Sequence, residues 1–274
     1  MSPSRNSASS RTPLRTPAFA LTLAGSLVVL LVMWLHPTGA ESIADANAHG
    51  AGAGAVLWRG RLVHGAAIGA VPLLLVGMGA LSWRLRARPW LSGGAFACFG
   101  LAAVCVMAAA IMSGLVAPAI LSDLADARDV VQDAARRDVA MQQLHYTGRL
   151  NQAFATVYVA LTAVAMTLWG LAMRGQAGFA AVVWWTAPLA GLVPWLLVMV
   201  GHLHLDVTGF GVVVACHTAW MTVAAWNLSR GEDHGGDRDG DRDGDRDGDR
   251  DGDRDGDGDG DGDGDGDDTA RPSA

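Results

Sequence analysis

LVHGAAIGAVPLLLVGMGALSW, residues 62 to 83, contains no Asp, Glu, Lys or Arg. A helix rises about 1.5 Å per residue, so this run reaches about 33 Å, enough to cross a hydrocarbon layer about 30 Å thick. Five more runs have the same character: Ala18 to Leu35, Leu91 to Leu121, Ala153 to Met173, Phe179 to Val200 and Val207 to Leu228. Lipid offers peptide groups no hydrogen-bond partner, so each run must pair its own backbone as a helix. The expected fold is all-α, a polytopic transmembrane helix bundle of six spans over residues 18–228. A short N-terminal segment, 1–17, precedes it and a polar tail, 229–274, follows.

The formal net charge of -7 joins two unlike pieces. From Gly231 onward there are 19 acids and 6 arginines, whereas the rest carries 8 acids and 14 arginines. All basic residues are arginines, with Ala and Gly heavily used, a pattern that suggests a biased genome rather than nucleic-acid binding. From Asp237 the tail repeats Asp-Arg-Asp-Gly and then Asp-Gly, with nothing apolar to bury, so disorder is expected. Asp239 to Gly244 matches the opening of a calcium loop, but position 12 is Arg250 rather than Glu and no apolar helices flank it. A structured calcium site is therefore not expected.

Connections alternate in charge. Residues 1–16, 84–90, 174–178 and 229–230 hold eight arginines and no acid, while 36–61, 122–152 and 201–206 hold six arginines and eight acids. The positive-inside rule then puts both termini in the cytoplasm of a bacterial inner membrane. The first run follows Arg5, Arg11 and Arg15 as a signal peptide would, but its apolar core is longer than the usual 7–15 residues, so retention as a span is expected. Trp34, Trp58, Trp83, Trp90, Trp169 and Trp226 fall near run ends, where headgroups favour amphipathic rings. Trp184, Trp185, Trp195 and Trp220 lie deeper, which suggests packing between helices or a cavity lining. Cys98, Cys105 and Cys216 all lie inside runs, so neither a disulfide framework nor a thiolate metal site is expected. Gly65 with Gly69, Gly93 with Ala97 and Ala110 with Gly114 have the spacing that lets helices approach closely. Between the third and fourth runs, Leu124, Ala127, Val131, Ala134, Met141 and Leu144 recur at helical spacing. This predicts an amphipathic extramembrane helix that extends one of those spans or folds over the outer mouth.

Histidine placement is the pattern most suggestive of chemistry. His36, His49, His64, His145, His202, His204 and His217 fall in outer connections or outer halves of spans, and His234 in the tail. His202, His204 and Asp206 share the short turn between the last two runs and are candidate metal ligands. His217 lies eleven residues past Asp206, about 16 Å deeper along a helix, so it joins that set only if Gly209 and Gly211 break the helix. If the second helix begins near Val56, His64 approaches the depth of His217, and the two imidazoles become candidate ligands for a bis-histidine haem. Simple packing or a proton relay would account for the same residues. Pro72, Pro188 and Pro194 lie well inside runs, where each frees a carbonyl, and a kinked fifth span beside His217 could border a pocket.

The segments VHGAAIGAVPLLLVGMGAL from Val63, VMAAAIMSGLVAP from Val106 and RLNQAFATVYV from Arg149 resemble a set of uncharacterised bacterial multi-pass integral membrane proteins. The resemblance covers the body to about Leu228 and implies the fold, with no reaction, ligand or partner attached.

No Walker loop, dinucleotide fingerprint, nucleophile motif or HExxH zinc motif occurs, which leaves enzyme readings with little support. The readings that stand are a membrane module binding haem or a transition metal through outward histidines, a transporter or channel for a small solute or ion, and a structural or assembly protein without a ligand. The lipid bilayer is the one partner the composition dictates, and a homo-oligomer stays open.

Overall fold

The structure is a computed structural model and describes residues 15–36, 53–125, 130–176 and 178–230. Residues 231–274 of the tail with His234, the glycine-rich stretch 37–52 with His49, and residues 126–129 of the amphipathic segment lie outside the described residues.

Among the described residues every regular element is helical: α1 Arg15–Leu35, α2 Ala53–Arg84, α3 Pro89–Ile111, a π-helical turn Met112–Val116, α4 Ala117–Ala125, α5 Val130–Met173, α6 Ala181–Met199 and α7 Val207–Arg230. Six stretches of the described residues are long and apolar enough to cross a membrane: Pro17–Leu35, Leu57–Arg84, Pro89–Asp123, Ala134–Met173, Ala181–Met199 and Val207–Ser229. Each overlaps one run expected from the sequence. The chain is a multi-pass integral membrane protein with an all-α, six-span bundle.

The third span passes through α3, the π turn and α4. Pro118 has no N–H for the carbonyl of Gly114, four residues back, and its ring would crowd that carbonyl in a regular α-helix. The π turn just ahead of it absorbs the mismatch, and Ala117 N–H reaches back to the Met112 carbonyl. Pro89 opens α3 in the first turn, where a missing N–H costs nothing. The amphipathic segment extends both neighbouring spans, since α4 continues to Ala125 and α5 is one helix of 44 residues.

The outer surface is apolar, as lipid requires. Leu27, Leu31, Val76, Leu101, Val164, Leu189 and Val212 all face away from the bundle. Several interior residues are polar, including Thr22, Ser26, Thr162, His217 and Thr218. Lipid tails are as apolar as leucine, so burial of grease cannot drive these helices together; close packing and interhelical hydrogen bonds do. The Thr222 hydroxyl, which donates to the Thr218 carbonyl at 2.8 Å, lies 3.2 Å from Ser26 Oγ as acceptor, joining α7 to α1. Glycines admit the closest approaches. A Cβ on Gly77 would run into the Thr22 hydroxyl, and one on Gly191 would come within 2.9 Å of the Ala163 Cα. By contrast, the Gly65 and Gly69 pair meets nothing nearby and is exposed on α2, so it does not mark a helix contact inside this chain.

A buried apolar cluster of Leu74, Met78, Leu81, Leu85, Phe99, Trp169, Trp220 and Met221 occupies the half of the bundle near the arginine-rich connections. Trp169 stacks on Trp220 with centroids 6.2 Å apart and donates from Nε1 to Ser82 Oγ at 2.8 Å. Its position near a run end suggested a headgroup anchor, but it is fully buried at the centre of the core. Trp185 departs in the other direction: it was expected deep and is 62% exposed. Beside it, Trp184 stacks on Trp185 at 4.6 Å, and the Arg174 guanidinium lies 5.6 Å from the Trp184 ring centroid. Arg86 lies similarly over Trp83. Arginines and tryptophans thus form a belt at this end, the composition that headgroups favour.

Candidate functional site

The opposite half is hollow. A cavity of about 320 Å³ lies between α1, α2, α3, α5 and α7. Its floor is apolar, with Leu74, Phe99 and Met221, while His36, His64, Asn151, Gln152 and Asp206 gather at its other end. That size falls at the lower limit of ligand pockets, which are typically about 300–1,000 Å³. An apolar chamber with polar groups at one end suits a molecule with an apolar body and a hydrogen-bonding head.

The polar end joins two helix ends, at His36 and Asp206, to residues inside α2 and α5. His36 follows the last residue of α1, and the next helix begins at Ala53, so His64 lies three turns inside α2. The antiparallel packing of α1 on α2 brings the two imidazoles together, with 3.1 Å between their Nε2 atoms. Arg59 Nε donates to the Leu35 carbonyl at 3.2 Å and ties the two helix ends. His64 Nδ1 lies 2.7 Å from the Gly60 carbonyl oxygen one turn earlier. Across from it, Gly114 in the π turn sits so close that any Cβ there would collide with Cβ and Cγ of His64.

The turn that carries His202 and His204 is shaped by its backbone. Gly201 has φ +76°, His202 N–H donates to the Leu197 carbonyl at 2.9 Å and Gly201 N–H to that of Val198 at 3.1 Å. These are the two bonds of a Schellman ending, which glycine favours because a Cβ would strain the left-handed φ. Asp206 then caps α7, accepting the Gly209 N–H on Oδ1 at 2.7 Å, and Gln152 Nε2 donates to the Leu205 carbonyl at 2.9 Å. His202 and His204 are exposed. Among the described residues no group of three or more His, Cys, Asp or Glu side chains is placed to hold a metal ion. The expected set of His202, His204 and Asp206 is therefore not gathered, since the Asp206 carboxylate is turned to its own helix.

His217 has a different neighbourhood from His64. Helix α7 runs unbroken from Val207, with Gly209 and Gly211 in its first turns, so His217 lies deep in the bundle and is fully buried. Val214, Thr218 and Met221 of α7 face the cavity, and His217 points to the side of α5. Its Nδ1 lies 3.2 Å from the Tyr158 hydroxyl, and its Nε2 is buried with no hydrogen-bond partner among the described residues. The Tyr158 ring separates this imidazole from the cavity and also packs on Phe210. His64 and His217 therefore have separate partners and do not form a facing bis-imidazole pair. The proline-bearing α6 contributes nothing to the cavity wall: Gly170 and Gly191 seat it against α5 on the other side.

Two residues of this site carried a signal that the sequence reading did not use. His36 directly follows an apolar run and His64 lies just inside the next, so antiparallel neighbours would bring them to one level. Tyr158 is one of two tyrosines in the chain and the only one inside an apolar run. Comparison of the chain with protein-family models, with curated proteins and with solved structures gives no match.

Proposed function

We propose that this protein is a ligand-binding module of the bacterial inner (plasma) membrane, with both termini on the cytoplasmic side and the cavity open towards the outer face. The occupant is a small amphipathic molecule whose apolar body fills the chamber and whose head meets the outward histidines and amides. The observation that carries this reading is the one-sided chemistry of the cavity: an apolar floor at Leu74, Phe99 and Met221 below a polar end at His36, His64, Asn151 and Gln152. Its orientation rests on the arginine and tryptophan belt at the end away from the cavity. Haem bound axially by His64 and His217 is a poorer fit, because those rings have separate partners.

The reading is tested by native mass spectrometry of the full chain released from mild detergent. Wild type is expected to carry a bound amphipathic molecule. Ala67→Phe and Ala110→Phe, which add a ring at two positions lining the cavity, are expected to lose it while retaining the helical spectrum of the wild type. A wild-type protein that carries nothing, or variants that keep the same occupant, would contradict the reading. Transport of a small solute is the second reading, favoured by the unpartnered His217 Nε2 behind the Tyr158 wall. Liposome flux unchanged by His217→Ala would remove that residue from any pathway.

A further inference from the structure

We propose that His36 and His64 form a binding site for a transition-metal ion at the mouth of the cavity. The inference does not depend on what fills the chamber below. Two imidazole nitrogens on one tetrahedral ion, at metal–nitrogen distances of about 2.0–2.1 Å, lie about 3.3 Å from each other. The Nε2 atoms of His36 and His64 are 3.1 Å apart. A shift of a few tenths of an ångström gives the separation a metal needs.

The protonation pattern of His64 is decided by its other nitrogen. Nδ1 faces the Gly60 carbonyl oxygen at 2.7 Å, and a carbonyl oxygen can only accept, so Nδ1 carries the hydrogen and donates. In the neutral ring Nε2 is then a bare lone pair, aimed at His36. Histidines that bind metals commonly have this arrangement, the second ring N–H given to a backbone carbonyl so that tautomer and ring direction are set before the ion arrives. Gly114 presses on the same side chain from the π turn and leaves it no room to swing aside. Without metal, the His36 Nε2–H donates to that lone pair. With metal, the His36 hydrogen moves to Nδ1 and both Nε2 atoms face the ion.

Two neutral imidazoles suit Cu²⁺, Zn²⁺ or Ni²⁺ and not the hard cations Ca²⁺ and Mg²⁺, which take oxygen ligands. Among the described residues no third His, Cys, Asp or Glu joins the pair, so the two imidazoles are the ligands these residues supply.

Cu²⁺ titrated into the full-length protein in mild detergent, read by electron paramagnetic resonance, tests the site. The Asp-Gly repeat from Asp237 would bind copper through oxygen and His234 supplies a single imidazole, so hyperfine structure from two imidazole nitrogens separates the paired site from the tail. One nitrogen-ligated Cu²⁺ per chain is expected. Its affinity should fall on the order of tenfold or more in His36→Ala and in His64→Ala. Gly114→Ala, which keeps both rings but pushes His64 aside, should also weaken it, whereas a His202→Ala and His204→Ala double variant should not. His36 lies at a helix end and is only partly buried, so His36→Ala keeps the test decisive if the buried His64 variant does not fold. Oxygen-only copper in the wild type, or a nitrogen signal that survives in His36→Ala, would overturn the proposal.

Discussion

Trp169→Ala is expected to destabilise the bundle by about 3 kcal/mol, at the low end of the range for removing a buried tryptophan. The low end applies because a bilayer is as apolar as the protein interior, so no transfer from water is lost. What is lost is contact. The indole is fully buried, stacks on Trp220, packs against Phe99 at 5.5 Å and donates to Ser82. Its removal opens a void where α2, α3, α5 and α7 meet and leaves the Ser82 hydroxyl without its donor. Unfolding in mixed micelles, followed by tryptophan fluorescence or circular dichroism, measures the loss. Trp169→Phe should recover most of the packing and forgo mainly the hydrogen bond, which in membrane interiors averages about 0.6 kcal/mol. A Trp169→Ala variant as stable as wild type would mean that the ring sits in the headgroup belt its sequence position suggested.

Gly170→Leu and Gly191→Leu are expected to detach α6 from α5, with the double variant misassembled. A Cβ at Gly170 would lie 2.8 Å from the Trp184 carbonyl oxygen and 2.9 Å from the Ala187 Cβ. One at Gly191 would lie 2.9 Å from the Ala163 Cα and 3.1 Å from its carbonyl oxygen. Most of these neighbours are backbone, which cannot swing away as a long side chain could, so the helices must separate. Overpacking a well-filled contact typically costs about 1–3 kcal/mol, and these two contacts lie on one interface where the costs compound. The same substitution at Gly65, where a Cβ meets nothing, should be tolerated. Protease sensitivity of the connection around Arg174 and melting in detergent distinguish the three. Equal behaviour of Gly65→Leu and Gly191→Leu would contradict the packing described.

These comparisons show where sequence stops being informative. The six spans were legible because exclusion of charge from lipid acts residue by residue and leaves uninterrupted runs, such as 62–83. The outward extension of α5 was legible from helical spacing in a stretch without Gly or Pro. Which face of a span turns inward depends on its neighbours, and no local pattern records it. Gly65 and Gly69 have the spacing of a helix contact, yet face outward, whereas Gly114, spaced likewise from Ala110, does meet His64, and the contact glycines Gly77 and Gly170 lack that spacing altogether. Trp169 and Trp185 exchanged their expected places for the same reason. At the site, His64 and His217 are both buried, but each has its own partner, His36 and Tyr158, rather than the other. The rotation of α7 decides this, turning Val214, Thr218 and Met221 to the cavity and His217 away from it. His202, His204 and Asp206 are neighbours in sequence, but a helix ending and a helix cap claim the turn they occupy.

The central claim is that the chain threads the bilayer six times, with the cavity end and the arginine end on opposite faces. Single cysteines introduced into a cysteine-free chain, and labelled in intact and then permeabilised cells with a maleimide that cannot cross membranes, test it most directly. Arg86→Cys and Arg174→Cys are predicted to label only after permeabilisation, and His204→Cys in intact cells. Labelling of Arg86→Cys and His204→Cys from the same side would contradict the account.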